Sequence, residues 1–191
     1  MIQFYKPNSK NTGSACSFSY NKKEKALWVN FIRQVSWNPD TKNGTFKGAA
    51  PDKKAYSKFS VTELAGLVHA IETNGEFGNF HGNKERNTTF KFSPYMREGS
   101  QVGFSFSLNQ SNSAENMKKS FIIGFTFAEG RMLKEYAITV LKNYFTDSIE
   151  SNQFDNSKQG NSAKPQQKAE KKVENVAPTQ DNTPEDDGIP W

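Results

Sequence analysis

Twice along this chain, a series of short segments with a two-residue hydrophobic period ends in a segment with a helical period, and this order restricts the fold more than any other feature. In the second series Phe90 and Phe92 alternate with Thr89, Lys91 and Ser93, and Phe104, Phe106 and Leu108 alternate with Gly103, Ser105 and Ser107. Phe121, Ile123 and Phe125 follow a polar loop predicted over residues 109–119, and residues 78–81 form a further short strand. Such alternation places one face of each strand in a core and the other in water. In the first series residues 2–5, 15–20, 26–35 and 45–49 are predicted strands, with Asn43-Gly44 as a hairpin turn. Each series closes on a helix. Ser60 and Glu63 form a capping box, Phe59 and Leu64 suit a hydrophobic staple, and Val61, Leu64, Ala65, Val68 and Ile71 recur at helical spacing before the stop at Asn74-Gly75. The second helix spans about 129–145, with Leu133, Tyr136, Ala137, Val140, Leu141 and Tyr144 as its apolar stripe. The fold class is α+β: two β-β-β-β-α units, with antiparallel sheets packed on two helices.

Charge divides the chain differently. Residues 1–145 hold 20 Lys and Arg against 11 Asp and Glu, and 23 of the 25 aromatic residues, whereas residues 146–191 hold 5 against 9. A basic, ring-rich body of net charge +9 thus precedes a polar segment of net charge −4. That segment has too few apolar residues to offset the entropy of ordering, so disorder is predicted from about Asp147 onward. Three parts follow: a binding domain over 1–145, a disordered linker over 146–180 and an acidic tip over 181–191. The single Cys16 rules out an internal disulfide, and no secretory signal or membrane span is evident, so a cytoplasmic protein without membrane partners is expected.

The tip breaks the tail's pattern, because Glu185, Asp186 and Asp187 lead into Gly188, Ile189, Pro190 and Trp191. Carboxylates beside apolar residues suit a peptide that a basic rim steers into an apolar pocket. The run closely resembles the Asp-Asp-Asp-Ile-Pro-Phe tip of bacterial single-stranded DNA-binding proteins, with Gly188 in place of an Asp and Trp191 in place of Phe. The resemblance implies a bacterial or phage protein whose tip recruits replication, recombination and repair proteins and competes with nucleic acid for the body. Residues 185–187 and 189–191 would form that partner-binding tip.

The body's element order, in turn, resembles Whirly, PUR-type and kinetoplastid guide-RNA-binding proteins, which implies binding of single-stranded nucleic acid. Sequence similarity between the two halves is confined to Phe59 and Phe127 near their helix starts. The alternative architecture is an OB-fold, a five-stranded barrel with one inserted helix, which eight strands and a strong closing helix fit less well.

Single-strand binding needs cations along phosphates and flat side chains under bases. In strand 26–35, Leu27, Val29, Phe31, Val35 and Trp37 share the core phase, leaving Trp28 on the other face as a stacking platform, with Arg33 further along. Phe46 and Lys47 are adjacent, and Lys54 and Tyr56 follow, with Lys58 just beyond. Phe80, His81, Lys84 and Arg86 form a basic hairpin; Lys91 lies between two core phenylalanines, and Tyr95 and Arg97 sit at the next turn. His81 fits a loop hydrogen-bonder or a nucleic-acid contact better than a metal ligand. With two His and one Cys, no phosphate-binding GxxxxGK[ST] loop and no Gly-x-Ser-x-Gly elbow, neither a metal site, a cofactor nor catalysis is expected. The function expected is that of a non-enzymatic, homo-oligomeric single-stranded DNA-binding protein. The alternative is an RNA-binding or strand-annealing matchmaker, or a transcription regulator, on the same fold.

Overall fold

The computed structural model describes residues 1–159. Strands β1 (Ile2–Lys6), β2 (Ser14–Asn21), β3 (Ala26–Arg33) and β6 (Lys54–Phe59) form one antiparallel sheet in the order β1-β2-β3-β6. Strands β7 (Phe77–Gly82), β8 (Arg86–Arg97), β9 (Ser100–Asn112) and β10 (Met117–Phe125) form a second, in the order β10-β9-β8-β7. Helix α1 (Val61–Thr73) follows the first sheet and α2 (Phe127–Gln159) the second, so the doubled β4α order predicted from periodicity is the order observed. Two sheets of four strands, each with its own helix, exclude the OB-fold alternative.

The alternating rings form the core. Phe106 is fully buried and contacts Phe18, Phe31, Phe59, Phe90 and Phe92, thereby joining residues of both sheets. Phe59 stacks on Phe90 at 4.3 Å, and Phe4 meets Phe125 edge-on at 4.9 Å. Each such ring contributes roughly 1.5–3 kcal/mol of burial free energy, so the phase of the alternation is strongly specified. A one-residue slip would carry every ring into water.

Helix α1 starts as predicted. The Ser60 side chain accepts from the Glu63 amide while the Glu63 carboxylate accepts from the Ser60 amide, and Asn74 ends the helix in the left-handed region at φ 51°. Leu64, Leu67, Ala70 and Ile71 are buried, whereas Ala65, placed in the stripe from sequence, is exposed. Between the helices, Lys134 of α2 reaches Glu72 of α1 at 3.6 Å.

Four expectations about the strands are corrected. The fourth strand of the first sheet is β6 rather than 45–49; its inward residues Ala55 and Ser57 are small, which mutes the alternation. Two short strands, β4 (Ser36–Asn38) and β5 (Asn43–Thr45), form an extra hairpin. Asn43-Gly44 lies within β5, and the reversal falls just before it, where Lys42 takes φ 51°. The core phase of β3 ends at Phe31: Gln34 is buried instead of Val35, its amide bonding both main-chain groups of Asn8 and the Ser36 carbonyl. The polar segment 109–119 is mostly strand, because β9 continues to Asn112 and β10 begins at Met117.

Helix α2 also runs past 145, where the linker was predicted to begin. Asp147 is held by Lys22 at 2.8 Å and by the Tyr20 hydroxyl at 3.2 Å, which anchors the first turn of this extension to β2. The disorder predicted for 160–191, with the tip residues Glu185, Asp186, Asp187, Ile189, Pro190 and Trp191, lies outside the described residues.

Sheet edges are tied down by side chains. Arg33 donates to the Ser120 carbonyl on β10 and lies over the Phe121 ring at 5.2 Å. Gln110 donates to the Tyr56 carbonyl of β6 at 2.7 Å, and Lys119 to the carbonyls of Pro51 and Lys54 at 2.7 and 3.3 Å. Carbonyls of the edge strands β6 and β10 are thereby engaged by side chains of the other sheet.

Candidate nucleic-acid interface

Strands β8 and β9 are 12 and 13 residues long, against six for β6, and their ends project past the ring core. In that overhang the core-facing phase passes from phenylalanine to polar residues. Arg86 pairs with Asn112, Thr88 with Gln110, Met117 with Asn112 and Lys119 with Gln110. The overhang crosses the β6 edge of the first sheet and leaves a groove of about 660 Å³. Trp28, Lys54, Tyr56 and Lys58 line one wall, and His81, Arg86, Thr88, Gln110, Met117 and Lys119 the other.

The groove has both chemistries that an unpaired strand requires. Trp28 and Tyr56 form a ring pair at 5.8 Å, and the Lys58 ammonium sits over the Trp28 ring at 5.9 Å. Lys58 also pairs with Glu24 at 3.1 Å, which holds it in that position. Tyr56 is 58% exposed, so a broad ring face meets solvent beside Lys54 and Arg86. Positive charge in a concave site raises the local concentration of a polyanion.

A buried carboxylate underlies one wall. Glu63, its side chain 5% exposed, accepts from the Ser60 amide at 2.7 Å, from Asn79 Nδ2 at 2.6 Å and from His81 Nε2 at 2.5 Å. Burial by itself would raise the Glu63 carboxyl, but the bonds from the Ser60 backbone, His81, the Ser60 side chain and Asn79 together hold it below the usual range.

A second cavity of about 620 Å³ lies on the outer face of the first sheet, between β1, β3 and the β4–β5 hairpin. Tyr5, Ile32, Phe46 and Lys47 line it, with Tyr5 and Phe46 in ring contact at 5.5 Å. Ile32 pairs across the ladder with Lys54 of the groove, so the two cavities share one face of the sheet.

Of the residues selected from sequence, Trp28, Lys54, Tyr56, His81 and Arg86 converge on the groove, and Phe46 and Lys47 on the second cavity. The other six are elsewhere. Arg33 is committed to the Ser120 carbonyl. Phe80 faces outward from β7, opposite to His81, and Lys84 lies in the exposed turn beyond. Lys91 is on the outer face of the second sheet, paired with Glu76 at 2.9 Å. Tyr95 and Arg97 sit at the far end of β8, seven or more residues from Thr88, or roughly 23 Å at the rise of an extended strand. Sequence reasoning missed Lys119, hidden in a segment taken for loop, and Tyr5 and Ile32, taken as ordinary strand residues. The alternating β3 pattern that exposed Trp28 would also have exposed Ile32.

Two antiparallel four-stranded sheets, each closed by its own helix, define a doubled β4α fold, and this is the fold of Whirly structures. The chain is similar to WHY1 from Arabidopsis thaliana at TM-score 0.56 and 18% identity, covering 88% of this chain and 96% of that one. It is similar to WHY3 from Arabidopsis thaliana at 0.56 and 19%, covering 83% and 95%. The plant transcriptional regulator PBF-2 aligns at 0.57 and 17%, covering 80% of this chain and 86% of its own. No protein-family model matches the chain, and no curated protein matches it by sequence.

Proposed function

We propose that this chain is a non-enzymatic single-stranded nucleic-acid-binding protein. In this reading it coats single-stranded DNA during replication, recombination or repair in a bacterial cell or a phage-infected host. The observation that carries it is the groove, where the Trp28–Tyr56 ring pair lies under Lys58 and beside Lys54 and Arg86. Rings on which bases stack contribute roughly 1–3 kcal/mol per base, and cations displace counterions from phosphates. The strand leaves the groove across Ile32 toward Tyr5, Phe46 and Lys47, and several copies of the chain act together. The acidic segment 185–191 recruits partner enzymes and, tethered near a cationic body, competes for the groove at high effective concentration.

The test is fluorescence anisotropy with labelled oligothymidine, matched RNA and matched duplex, repeated after removal of residues 181–191. Micromolar or tighter binding to single strands, strengthened at low salt by the truncation, supports the reading; indifference to oligothymidine at modest ionic strength overturns it. A second reading, a transcription regulator, is favoured by the likeness to PBF-2, and preference for one duplex sequence over single strands would select it.

A further inference from the structure

On the groove's wall sits a histidine, the residue type that ordinarily gains and loses its charge between pH 5 and 8. His81 is 37% exposed in its side chain, and its two ring nitrogens have different partners. Nε2 faces the buried Glu63 carboxylate at 2.5 Å, and Nδ1 faces the Ser57 hydroxyl at 3.3 Å. An ionised carboxylate only accepts, so Glu63 fixes a proton on Nε2 in either charge state of the ring. The Ser57 hydroxyl, in contrast, can donate to a neutral Nδ1 or accept from a protonated one. A second proton therefore enters without breaking either contact, and the carboxylate compensates the new charge.

We propose that the Glu63–His81 pair is a proton-linked charge on the wall of the phosphate path: His81 becomes imidazolium as a polyanionic strand enters the groove and acts on it through space, its two N–H groups staying on Glu63 and Ser57, and Glu63 is the positioning residue that holds the ring for it. The inference rests on the nucleic-acid reading above and names a regulator of that same site. Glu63 on α1 favours the imidazolium; Lys54 and Lys58 on β6, Arg86 on β8 and Lys119 on β10 oppose it, while Glu115 in the β9–β10 turn favours it. Asn79 on β7, Ser57 on β6, Thr88 on β8 and the Phe90 ring, edge-on at 5.5 Å, are neutral. A bound phosphodiester screens the opposing cations, which tips the balance toward proton uptake. Proton uptake on binding means that affinity is greatest below the histidine's midpoint and declines as pH rises through it.

The chain has two histidines, and the other, His69, is exposed on α1 and does not line the groove, so the assignment can be made cleanly. The experiment follows the histidine ring protons of the full chain by NMR from pH 5.5 to 8, free and with a synthetic oligothymidine lacking terminal phosphate. Anisotropy is measured in parallel on the unmodified chain, His81→Gln and His69→Gln. The expected result is a higher His81 midpoint in the complex and a fall in affinity across that range of roughly two- to fivefold, the scale of a solvent-exposed ion pair. His81→Gln should remove this fall and His69→Gln should retain it. Binding with an unmoved His81 midpoint overturns the inference and leaves the nucleic-acid reading standing. Absence of binding at every pH overturns both. The NMR arm uses the unmodified chain, so it does not depend on either variant folding.

Discussion

The salt dependence of binding tests the groove most directly, and its size follows from the cations lining it. Lys54, Lys58, Arg86 and Lys119 border the cavity. If each neutralises one phosphate, log K falls against log salt with a slope of about −0.7 per contact on single strands, or about −2.8 for the set. Raising salt from about 50 to 200 mM then weakens binding roughly 50-fold. Arg86→Gln removes one contact, so the slope should become about −2.1 and the same step should cost only roughly 20-fold. Lys91→Gln is the control, because Lys91 lies on the opposite face of β8 and does not line the groove. The assay is an anisotropy titration of labelled oligothymidine at five or six salt concentrations. A slope unchanged by Arg86→Gln, or reduced as much by Lys91→Gln, would refute the placement of the strand in this groove.

Other expectations are more local. Trp28→Ala should weaken oligothymidine binding by roughly 1–3 kcal/mol, since its ring supplies a stacking face; a loss smaller than twofold would show that no base rests there. Phe106→Ala, at the centre of the ring cluster, should lower the free energy of unfolding by roughly 3–5 kcal/mol in a urea titration. Arg33→Ala should cost about 1 kcal/mol by the same assay while leaving the salt slope untouched, because its guanidinium serves a carbonyl of the other sheet rather than the groove. Acid should destabilise the fold through Glu63 and Glu129. Burial alone would raise the Glu129 carboxyl, but the Lys6 ammonium and the Thr126 amide and hydroxyl hold it below the usual range, as the partners of Glu63 hold that carboxyl. Both carboxyls therefore bind protons more readily unfolded than folded. Their stabilisation is complete above the ordinary carboxylate pKa and is lost as pH falls through the folded value, so Lys6→Met should flatten the acid limb of a thermal-melt series.

The fold was legible where one residue type determined one position. Ser60 and Glu63 announced the start of α1, and the phenylalanines of β8, β9 and β10 announced their own phase. It was illegible where burial is achieved by small groups or lost at an overhang. Strand β6 buries Ala55 and Ser57, which carry little apolar signal, and residues 109–112 and 117–119 are strand without being core. The candidate site was half legible for a related reason. Period two separates the faces of one strand, so Trp28 emerged, but it cannot say which face of β8 approaches β6. Phase alone favours Lys91 as the solvent-facing cation, but the packing of the sheets puts the opposite face of β8, with Arg86, on the groove. The Glu63–His81 bond joins residues 18 apart through a helix start and a sheet edge, a relation that no local spacing encodes.

The groove also makes the two β4α repeats interdependent. One bank comes from residues 28–58 and the other from 81–119, so neither repeat is a binding unit by itself. An occupant seated there rivets the two repeats together, and the chain severed between them should regain affinity only when both fragments are mixed.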